Sequence, residues 1–333
     1  MNLIRYFFLI FLVNISLASS NIQVEFEQWK KEFEKQALIN KISKKTLDKT
    51  IVNVQYLAKV IEYDNFQPEV YEDTNTYINK RSTNNKIDKG VNYFYDNNDL
   101  IIEVEKKFQI EKELLLSLMG IETNFGTQLG QMDTLSALAT LSFDKRRSAF
   151  FTNELLILLK LIEEDKVDYK SLYGSWAGAF GFFQFMPSSI NSYAIDYDNN
   201  NTIDLKSPSD AFASAANYLN KLGWNSNQPC FYKINLTEDI PKKFLNDSAK
   251  NITNKKKLKF FMQYIKNNNV LAKIDQNLTA AIITPDKSII ANSEKLNPSY
   301  IIFSNYEIIL KWNRSLRFAL AICTLKDKFE NEL

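Results

Sequence analysis

The sequence predicts an α+β fold in which helices predominate, and two patterns support that prediction. Most of the 333 residues place apolar side chains at helical spacing, with no internal repeat and no long linker. Residues 225–300 instead contain short β-branched pieces such as AAIIT and YIIF, which indicate a small sheet. Helices along most of the chain, with strands confined to one region, are typical of α+β proteins.

The first segment of the chain has the pattern of a secretory signal peptide. Arg5 precedes an apolar stretch at residues 6–17, and small residues follow at 18–20. A retained anchor helix is the alternative. No Cys follows the apolar run, so no lipoprotein anchor is expected, and no later stretch has the length of a transmembrane helix. We therefore expect an exported protein without residues 1–20.

Helical patterns follow in residues 22–61. The segment VEFEQWKKEFEKQAL repeats Phe26, Trp29 and Phe33 at roughly helical spacing. The polar stretch RSTNNKIDKG then precedes a helix predicted from about Val91 to Lys107.

The next predicted helix starts near Glu111 and carries a carboxylate on its apolar side. Leu115, Leu118 and Glu122 are spaced by three and four, which places them on one face. Asn124 and Gly126 then predict a C-terminal cap. A charge on an apolar face is costly unless it is paired or kept protonated. Glu122 is therefore either a helix-end carboxylate bonded to a neighbour or a general acid.

Further helices are predicted in the second half of the chain. One covers about residues 147–164 and is apolar nearly all round, so it should be central to the core. Another runs from Pro208 to Leu222, with Ser207 as its N-cap and Gly223 as its stop. A basic helix is predicted at residues 255–265, and a last helix at about 315–328.

Composition excludes several kinds of chemistry. The chain contains no histidine, which rules out Ser-His-Asp and Cys-His triads and the HExxH zinc motif. Its net charge of +2, from 41 basic and 39 acidic residues, gives no reason to expect nucleic acid as a partner. The two cysteines, Cys230 and Cys323, form either a disulfide or separate buried thiols.

A second candidate stretch is GSWAGAFGFFQFMPSSI, residues 174–190. Its small residues let the backbone approach another group closely, and its aromatic residues offer flat apolar surface on which a sugar ring can stack. Ser175 and Gln184 could hydrogen-bond hydroxyl or amide groups. The alternative is a turn-rich segment of the core.

A third stretch, DYDNNNTIDLKSPSD, resembles an EF-hand loop. Asp196, Asp198 and Asn200 alternate like the first three ligands of such a loop, and Thr202 would offer its carbonyl. Asn201 replaces the usual turn glycine. No Glu stands at the twelfth position, but Asp210 could close a slightly longer loop. A solvated turn rich in Asp and Asn is the alternative to a cation site.

In combination these stretches resemble the membrane-bound lytic transglycosylase B family, which contains lysozyme-like enzymes of the bacterial cell wall. The resemblance covers about residues 50–225 and 300–328, whereas residues 230–298 show little of it. The motifs that carry it are, in chain order, VIEYDNFQPE, GIETNFG, LSALATLSFDKRR, GSWAGAFGFFQFMPSSI, YAIDYDNNNTIDL, ANYLNKLGW and KWNRSLRFALA.

The resemblance implies a domain organisation. The signal peptide at 1–20 precedes an N-terminal helical region at 21–110 and a lysozyme-like catalytic core at 111–225, with the EF-hand-like loop at 196–210. A divergent segment with a small sheet follows at 226–300. Residues 301–333 then return to the core.

The resemblance also implies a function in the periplasm. The family cleaves the MurNAc–GlcNAc β-1,4 bond of peptidoglycan and leaves a 1,6-anhydro-MurNAc end. Glu122 matches the family's single catalytic acid/base. The glycan-contacting positions are matched by Ser175, Gln184, Tyr218 and Asn313. A structural Ca²⁺ or Na⁺ would be held by Asp196, Asp198, Asn200, Thr202 and Asp210, and catalysis would need no cofactor. The chain departs from the family at Phe318, where a Tyr often lines the site, and at Asn201.

Two other functions remain open at this point. A hydrolytic lysozyme would use the same fold with water as the nucleophile, and a peptidoglycan-binding protein would lack turnover. The expected partners are the glycan strands and proteins of cell-wall synthesis, and the chain is expected to be a monomer.

Overall fold

The computed structural model describes residues 3–65, 72–266, 269–287 and 296–333, and for residues 3–20 it describes the backbone only. The last part of the VIEYDNFQPE motif, residues 66–69, lies outside these ranges. The helices are α1 (Leu3–Ile39), α2 (Lys44–Lys49), α3 (Ala58–Asn65), α4 (Thr74–Arg81), α5 (Asn84–Asp96), α6 (Asn98–Phe108), α7 (Lys112–Thr123), α8 (Thr134–Phe143), α9 (Ser148–Glu163), α10 (Pro187–Tyr193), α11 (Pro208–Leu222), α12 (Leu258–Phe261), α13 (Ser304–Trp312) and α14 (Leu316–Phe329). The strands are β1 (Met132–Asp133), β2 (Tyr173–Gly174), β3 (Phe231–Leu236), β4 (Leu245–Asn246), β5 (Lys256–Lys257), β6 (Ile265–Lys266), β7 (Thr279–Ile283) and β8 (Ser299–Ile302). The predicted helix-rich α+β class is confirmed.

The chain divides into two compact units, each assembled from segments that are distant in sequence. The first unit contains Met1–Phe66, Leu129–Ser192 and Asp198–Asp204. The second contains Gln67–Gln128, Tyr193–Tyr197 and Leu205–Leu333.

The first unit is built around the packing of α8 on α9. Leu138 of α8 and Leu155 and Leu158 of α9 are completely buried, as the apolar pattern of this stretch predicts. In α1 the ring of Trp29 stacks on those of Phe26 and Phe33, with centroids 5.3 and 5.2 Å away. The backbone of α1 continues through residues 3–20, and signal-peptide removal stays a prediction. Within the described ranges no helix combines the length and apolarity of a membrane span.

The second unit is organised by α7, which packs against α14 and α5. Leu114, Leu115 and Leu118 of α7 are completely buried, and so is most of the first three turns of α14. The predicted helices at 208–222 and 315–328 are confirmed as α11 and α14. Ser207 occupies the N-cap of α11 without a side-chain hydrogen bond, and Gly223 ends the helix in the left-handed conformation at φ 88°.

The single helix predicted at 91–107 is wrong, because the structure has α5 and α6 there. The polar residues before it already belong to α5, whose N-cap Thr83 accepts a hydrogen bond from the backbone N–H of Lys86. Asn97 separates the two helices at φ −131° and ψ 23°. Its side-chain amide donates to the Tyr93 carbonyl at 2.9 Å, which shows how an Asn side chain competes with continued helix.

The small sheet predicted for residues 225–300 is confirmed. Its strands follow the order β4-β7-β8-β3-β6, and β5 pairs with β7. Antiparallel pairing of Ala281 with Ile302 sets the register of β7 against β8. Ile282, Ile301 and Phe261 are among the buried residues that give this sheet its own core.

The basic helix predicted at 255–265 is only partly present. Helix α12 has four residues, because the lysines before it form β5, and a 3₁₀ helix at Met262–Tyr264 follows it and leads into β6. Lys256 and Lys257 pair with Ala280 and Thr279 of β7, so sheet pairing overrides the local helical pattern.

A disulfide and a buried ion pair connect the sheet region to α14. Cys230 and Cys323 form a disulfide with their Cα atoms 6.2 Å apart, which joins the start of β3 to α14. Arg317, in the first turn of α14, lies 2.7 Å from the buried carboxylate of Asp286. Asp286 also accepts a 3.1 Å hydrogen bond from the backbone N–H of Thr74, the first residue of α4. Asp286 thereby connects the beginning of α14 with the beginning of α4.

Candidate active site

Glu122 lies in the last turn of α7 and is half-buried. The helix ends as predicted, because Asn124 adopts the left-handed conformation at φ 48° and its N–H donates to the Gly120 carbonyl at 3.2 Å. Lys86 on α5 donates to the same carbonyl. Burial, with the positive charges of Lys89 and Arg81, lowers the pKa of this amine. The helix end beside Glu122 is therefore held by a tight turn and by a cation.

The carboxylate of Glu122 has a partner that the sequence did not single out. Trp312 donates its indole Nε1–H to Oε1 of Glu122 across 3.2 Å. Trp312 is the last residue of α13 and is half-buried. The only sequence signal for it was its position beside Asn313 in the KWN motif.

An aromatic stack supports Trp312 from α11. The ring of Tyr218 stacks on the indole at 4.9 Å between centroids, with 23° between the planes. Tyr193 in turn stacks on Tyr218, at 4.1 Å between centroids and 11° between the planes. The Tyr218 hydroxyl donates to the Lys311 carbonyl at 3.4 Å, and Asn217 donates to the Tyr193 carbonyl at 2.7 Å. Tyr218 is only 8% exposed, so its ring serves the stack.

Asn313 follows Trp312 at the C-cap of α13. Its backbone N–H donates to the Ile309 carbonyl at 2.9 Å, and its own carbonyl accepts from the N–H of Ser315 at 2.8 Å. Ser315 caps α14 by accepting from the N–H of Phe318 at 3.2 Å. Phe318 is 3% exposed, so it packs as a core residue. The second unit thus brings Glu122, Tyr218 and the Trp312–Asn313 segment together.

Ser175 and Gln184 lie on one compact turn of the first unit. The N–H of Ser175 donates to the Ala179 carbonyl at 2.8 Å, and the Ser175 hydroxyl accepts from the N–H of Ala179 at 3.2 Å. Gln184 has a left-handed backbone at φ 49°, and its side-chain amide donates to the carbonyls of Gly181 and Leu129 at 2.9 and 3.3 Å. Both half-buried side chains are therefore fixed by backbone contacts.

Glycine is required where this turn meets its neighbours. A Cβ on Gly174 would lie 2.1 Å from the Ala179 carbonyl oxygen, and one on Gly130 would lie 2.2 Å from the Gly174 oxygen. Gly130 also has a φ of 80°. The close backbone approach expected from the small residues is present.

The predicted cation ligands are divided between the two units. In the second unit, Asp196 and Asp210 offer carboxylate oxygens within 4.8 Å of each other. Asp210 is completely buried, and its Oδ1 accepts from the N–H of Tyr197 at 2.7 Å. Closely spaced carboxylates of which one is buried fit a hard cation that prefers oxygen ligands.

In the first unit, the loop from Asp198 to Thr202 is organised by its own side chains. Asp198 Oδ1 accepts from the N–H of Asn200 at 3.1 Å, and Asn200 Oδ1 accepts from the N–H of Thr202 at 2.9 Å. Asn201 adopts φ 70°, the conformation expected at the position where an EF-hand loop has glycine.

Comparison with known proteins identifies the family. Residues 25–327 match the family model described as the transglycosylase SLT domain. The chain belongs to the transglycosylase SLT domain family. The match covers nearly the whole chain, which confirms the family resemblance and extends it across the divergent segment and its small sheet.

A curated relative carries the same kind of name. Membrane-bound lytic murein transglycosylase B of Escherichia coli K12 is 36% identical over 149 residues, which is 44% of this chain and 41% of the relative. The match therefore spans less than half of the length of that relative.

Solved structures show the same fold. SltB3 from Pseudomonas aeruginosa, in complex with NAG-NAM-pentapeptide, has a TM-score of 0.80 and 30% identity, covering 92% of this chain and 79% of SltB3. Escherichia coli lytic transglycosylase Slt35, in complex with calcium, has a TM-score of 0.74 over 92% of this chain and 93% of its own. At 24% identity the likeness to Slt35 concerns the fold alone.

Proposed function

We propose that the chain is a peptidoglycan lytic transglycosylase that cleaves the MurNAc-β-1,4-GlcNAc bond and forms 1,6-anhydro-MurNAc ends. The observation that carries the proposal is the carboxylate of Glu122, held by a hydrogen bond from Trp312 beside stacked aromatic rings. A fixed acid beside flat apolar surface suits a sugar substrate, whose rings present C–H faces to aromatic side chains. Family membership supports the same activity.

A single carboxylate is sufficient for this reaction. Protonated Glu122 gives its proton to the glycosidic oxygen, and the bond from that oxygen to C1 of MurNAc breaks. The 2-acetamido oxygen of the same sugar stabilises C1, as in substrate-assisted glycosidases. The C6 hydroxyl oxygen then attacks C1, and its proton returns to Glu122. Because the nucleophile belongs to the substrate, its effective concentration is high and no activated water is needed.

The remaining polar residues would bind the glycan. In this proposal Asn313 or Ser175 holds the acetamido group, and Gln184 and Tyr218 are further glycan-binding residues. The backbone contacts that fix Ser175 and Gln184 support such roles, because positioned groups lose little conformational freedom on binding. The structure of SltB3 with NAG-anhNAM-pentapeptide, at 30% identity, is consistent with glycan binding by this family.

Digestion of purified sacculi tests the proposal and separates it from its two rivals. We expect mass spectrometry to detect muropeptides ending in 1,6-anhydro-MurNAc, because the C6 hydroxyl is the nucleophile. Reducing ends without anhydro product would identify a hydrolytic lysozyme instead. Binding of sacculi without release of any product would identify a peptidoglycan-binding protein. Heat-treated sacculi incubated without protein provide the baseline.

We also propose that Asp196, Asp198, Asn200, Thr202 and Asp210 hold a structural Ca²⁺ or Na⁺. The local geometry of each unit supports this, since Asp210 is a buried carboxylate close to Asp196 and Asn201 has the left-handed backbone. A bound cation would stabilise the fold and would take no part in the chemistry.

Thermal unfolding tests the cation site. After treatment with a chelator and dialysis, we expect added CaCl₂ or NaCl to raise the melting temperature of the wild-type protein. The Asp210→Asn variant should lose that response, because the buried ligand loses its charge. Asp96→Asn, a change of an exposed acid at the end of α5 and outside the loop, serves as the matched control. An equal response of wild type and Asp210→Asn to both salts would refute the site.

The proposed place of action is the periplasm, reached after removal of residues 1–20. Glycan strands are the proposed partners of the active site, with cell-wall synthesis proteins as further partners and the enzyme acting as a monomer. The lack of histidine fits this assignment, because the proposed chemistry needs a carboxyl group alone.

A further inference from the structure

The half-buried indole of Trp312 is held by a hydrogen bond on one side and by ring stacking on the other. Its N–H meets Oε1 of Glu122 at 3.2 Å, and its ring is stacked on Tyr218. Tyr218 is itself stacked on Tyr193 and hydrogen-bonded to the Lys311 carbonyl, one residue before Trp312. These contacts anchor the last turn of α13 to α11. The direction of the N–H is therefore set by aromatic residues that precede α13 in the chain by about a hundred positions.

A carboxylate at this position needs such a donor. Glu122 lies in the last turn of α7, where the carbonyl groups give the helix end a negative partial charge. That end disfavours the ionised form of the carboxyl group. An N–H donor acts in the opposite direction, because a hydrogen bond to a carboxylate is stronger than one to a neutral acid. Lys86 also offsets the negative partial charge of this helix end, because its amine donates to the Gly120 carbonyl.

We propose that Trp312 is a positioning residue for Glu122, and that the column Tyr193–Tyr218–Trp312 sets the direction of its N–H. The bond holds the carboxyl group in one orientation and supports the ionised state that must take back the proton from the C6 hydroxyl. This inference rests on the proposed function of Glu122. It gives Trp312 a role that depends on the N–H of its ring and not on the apolar surface of the ring.

The Trp312→Phe variant tests the inference, because Phe keeps an aromatic ring for the stack on Tyr218 and has no N–H donor. We expect kcat on sacculi or glycan strands to fall by about tenfold to a hundredfold, the range for loss of a hydrogen bond to a charged group. KM should change by less than about twofold if the bond acts on Glu122 and not on the bound sugar.

The pH profile gives a readout that a purely structural role would not move. A general acid loses activity as it ionises with rising pH, and the donor from Trp312 favours ionisation. Without that donor the carboxyl group should stay protonated to higher pH. The alkaline limb of the curve of kcat against pH should therefore move to higher pH by about one unit. Lys86 on α5, whose amine donates to the Gly120 carbonyl at this helix end, is unchanged in the variant. It therefore affects both profiles alike.

The chain provides a matched control in Trp224. Its indole N–H donates to Oε2 of Glu111 at 2.6 Å, and Trp224 is 8% exposed. Trp224→Phe removes the same kind of bond between an indole and a carboxylate at the other end of α7. We expect this variant to lose stability while keeping the wild-type kcat and pH profile.

A measurement on the wild-type protein keeps the inference testable if Trp312→Phe does not fold. The indole N–H resonance of Trp312 should shift with pH at the midpoint of the alkaline limb, and the shift should vanish in Glu122→Gln. The inference would be overturned if the Trp312 indole resonance of the wild type did not shift with pH. It would also be overturned if a folded Trp312→Phe variant had the wild-type pH profile of activity. Full turnover by Glu122→Gln would instead overturn the proposed function, so the two failures are distinguishable.

Discussion

Replacing Glu122 by Gln should reduce the release of anhydro-muropeptides by at least about a thousandfold, a large effect within the range for loss of a general acid–base group. Gln has nearly the same size as Glu and its carbonyl oxygen can still accept the hydrogen bond from Trp312. It has no proton to give to the glycosidic oxygen and no basic oxygen for the C6 hydroxyl. The measurement is the rate of product release from sacculi by liquid chromatography and mass spectrometry.

Binding should survive this substitution, because the amide side chain would lie in the same place as the carboxylate without changing the aromatic stack. Sedimentation of the variant with sacculi measures that directly. Glu113→Gln is the matched control: Glu113 lies in the first turn of the same helix, is 7% exposed and is paired with Lys112. It should retain turnover even if its melting temperature falls. If Glu122→Gln digests sacculi as fast as Glu113→Gln, Glu122 is not the catalytic acid.

The parts of the site that local pattern could predict are those set by a single helix. The spacing of Leu115, Leu118 and Glu122, with Asn124 behind them, was sufficient to place the carboxylate at a capped helix end. Gly223 likewise predicted the end of α11. Capping depends on the backbone of a few successive residues, so it is visible in a short stretch of sequence.

Features that depend on distant residues were not predictable in the same way. Trp312 is 190 positions from Glu122, and no local period connects an indole to a carboxylate at that separation. The basic stretch at 255–265 had a helical pattern, but its lysines pair with β7. Asn97 ended α5 through its own side chain, which competed with the backbone in a segment whose apolar spacing continued.

The disulfide is a further feature that local sequence could not predict, because only the tertiary structure decides between a disulfide and two separate buried thiols. Cys323 lies in an apolar helix and is completely buried, which suits a free thiol as well as a disulfide. Only the folding of β3 beside α14 brings Cys230 to a Cα separation of 6.2 Å, within the range of a disulfide.

Reduction of this disulfide should lower the free energy of unfolding by about 4–5 kcal/mol in the chain-entropy model. The bond closes a loop between residues 93 positions apart, and such a long loop gains much conformational freedom when it opens in the unfolded chain. Urea unfolding with and without dithiothreitol measures the difference through the shift of the midpoint at constant slope.

The Cys230→Ser, Cys323→Ala double variant separates loss of the bond from other effects of the reductant. Its midpoint should equal that of the reduced wild type and should not respond to dithiothreitol. Titration of the unfolded, unreduced wild-type protein with a thiol reagent should detect no free thiol. Detection of both thiols there, or an unchanged midpoint on reduction, would contradict the bond. Because α14 packs against α7, which carries Glu122, reduced protein should also lose turnover at a lower temperature than oxidised protein.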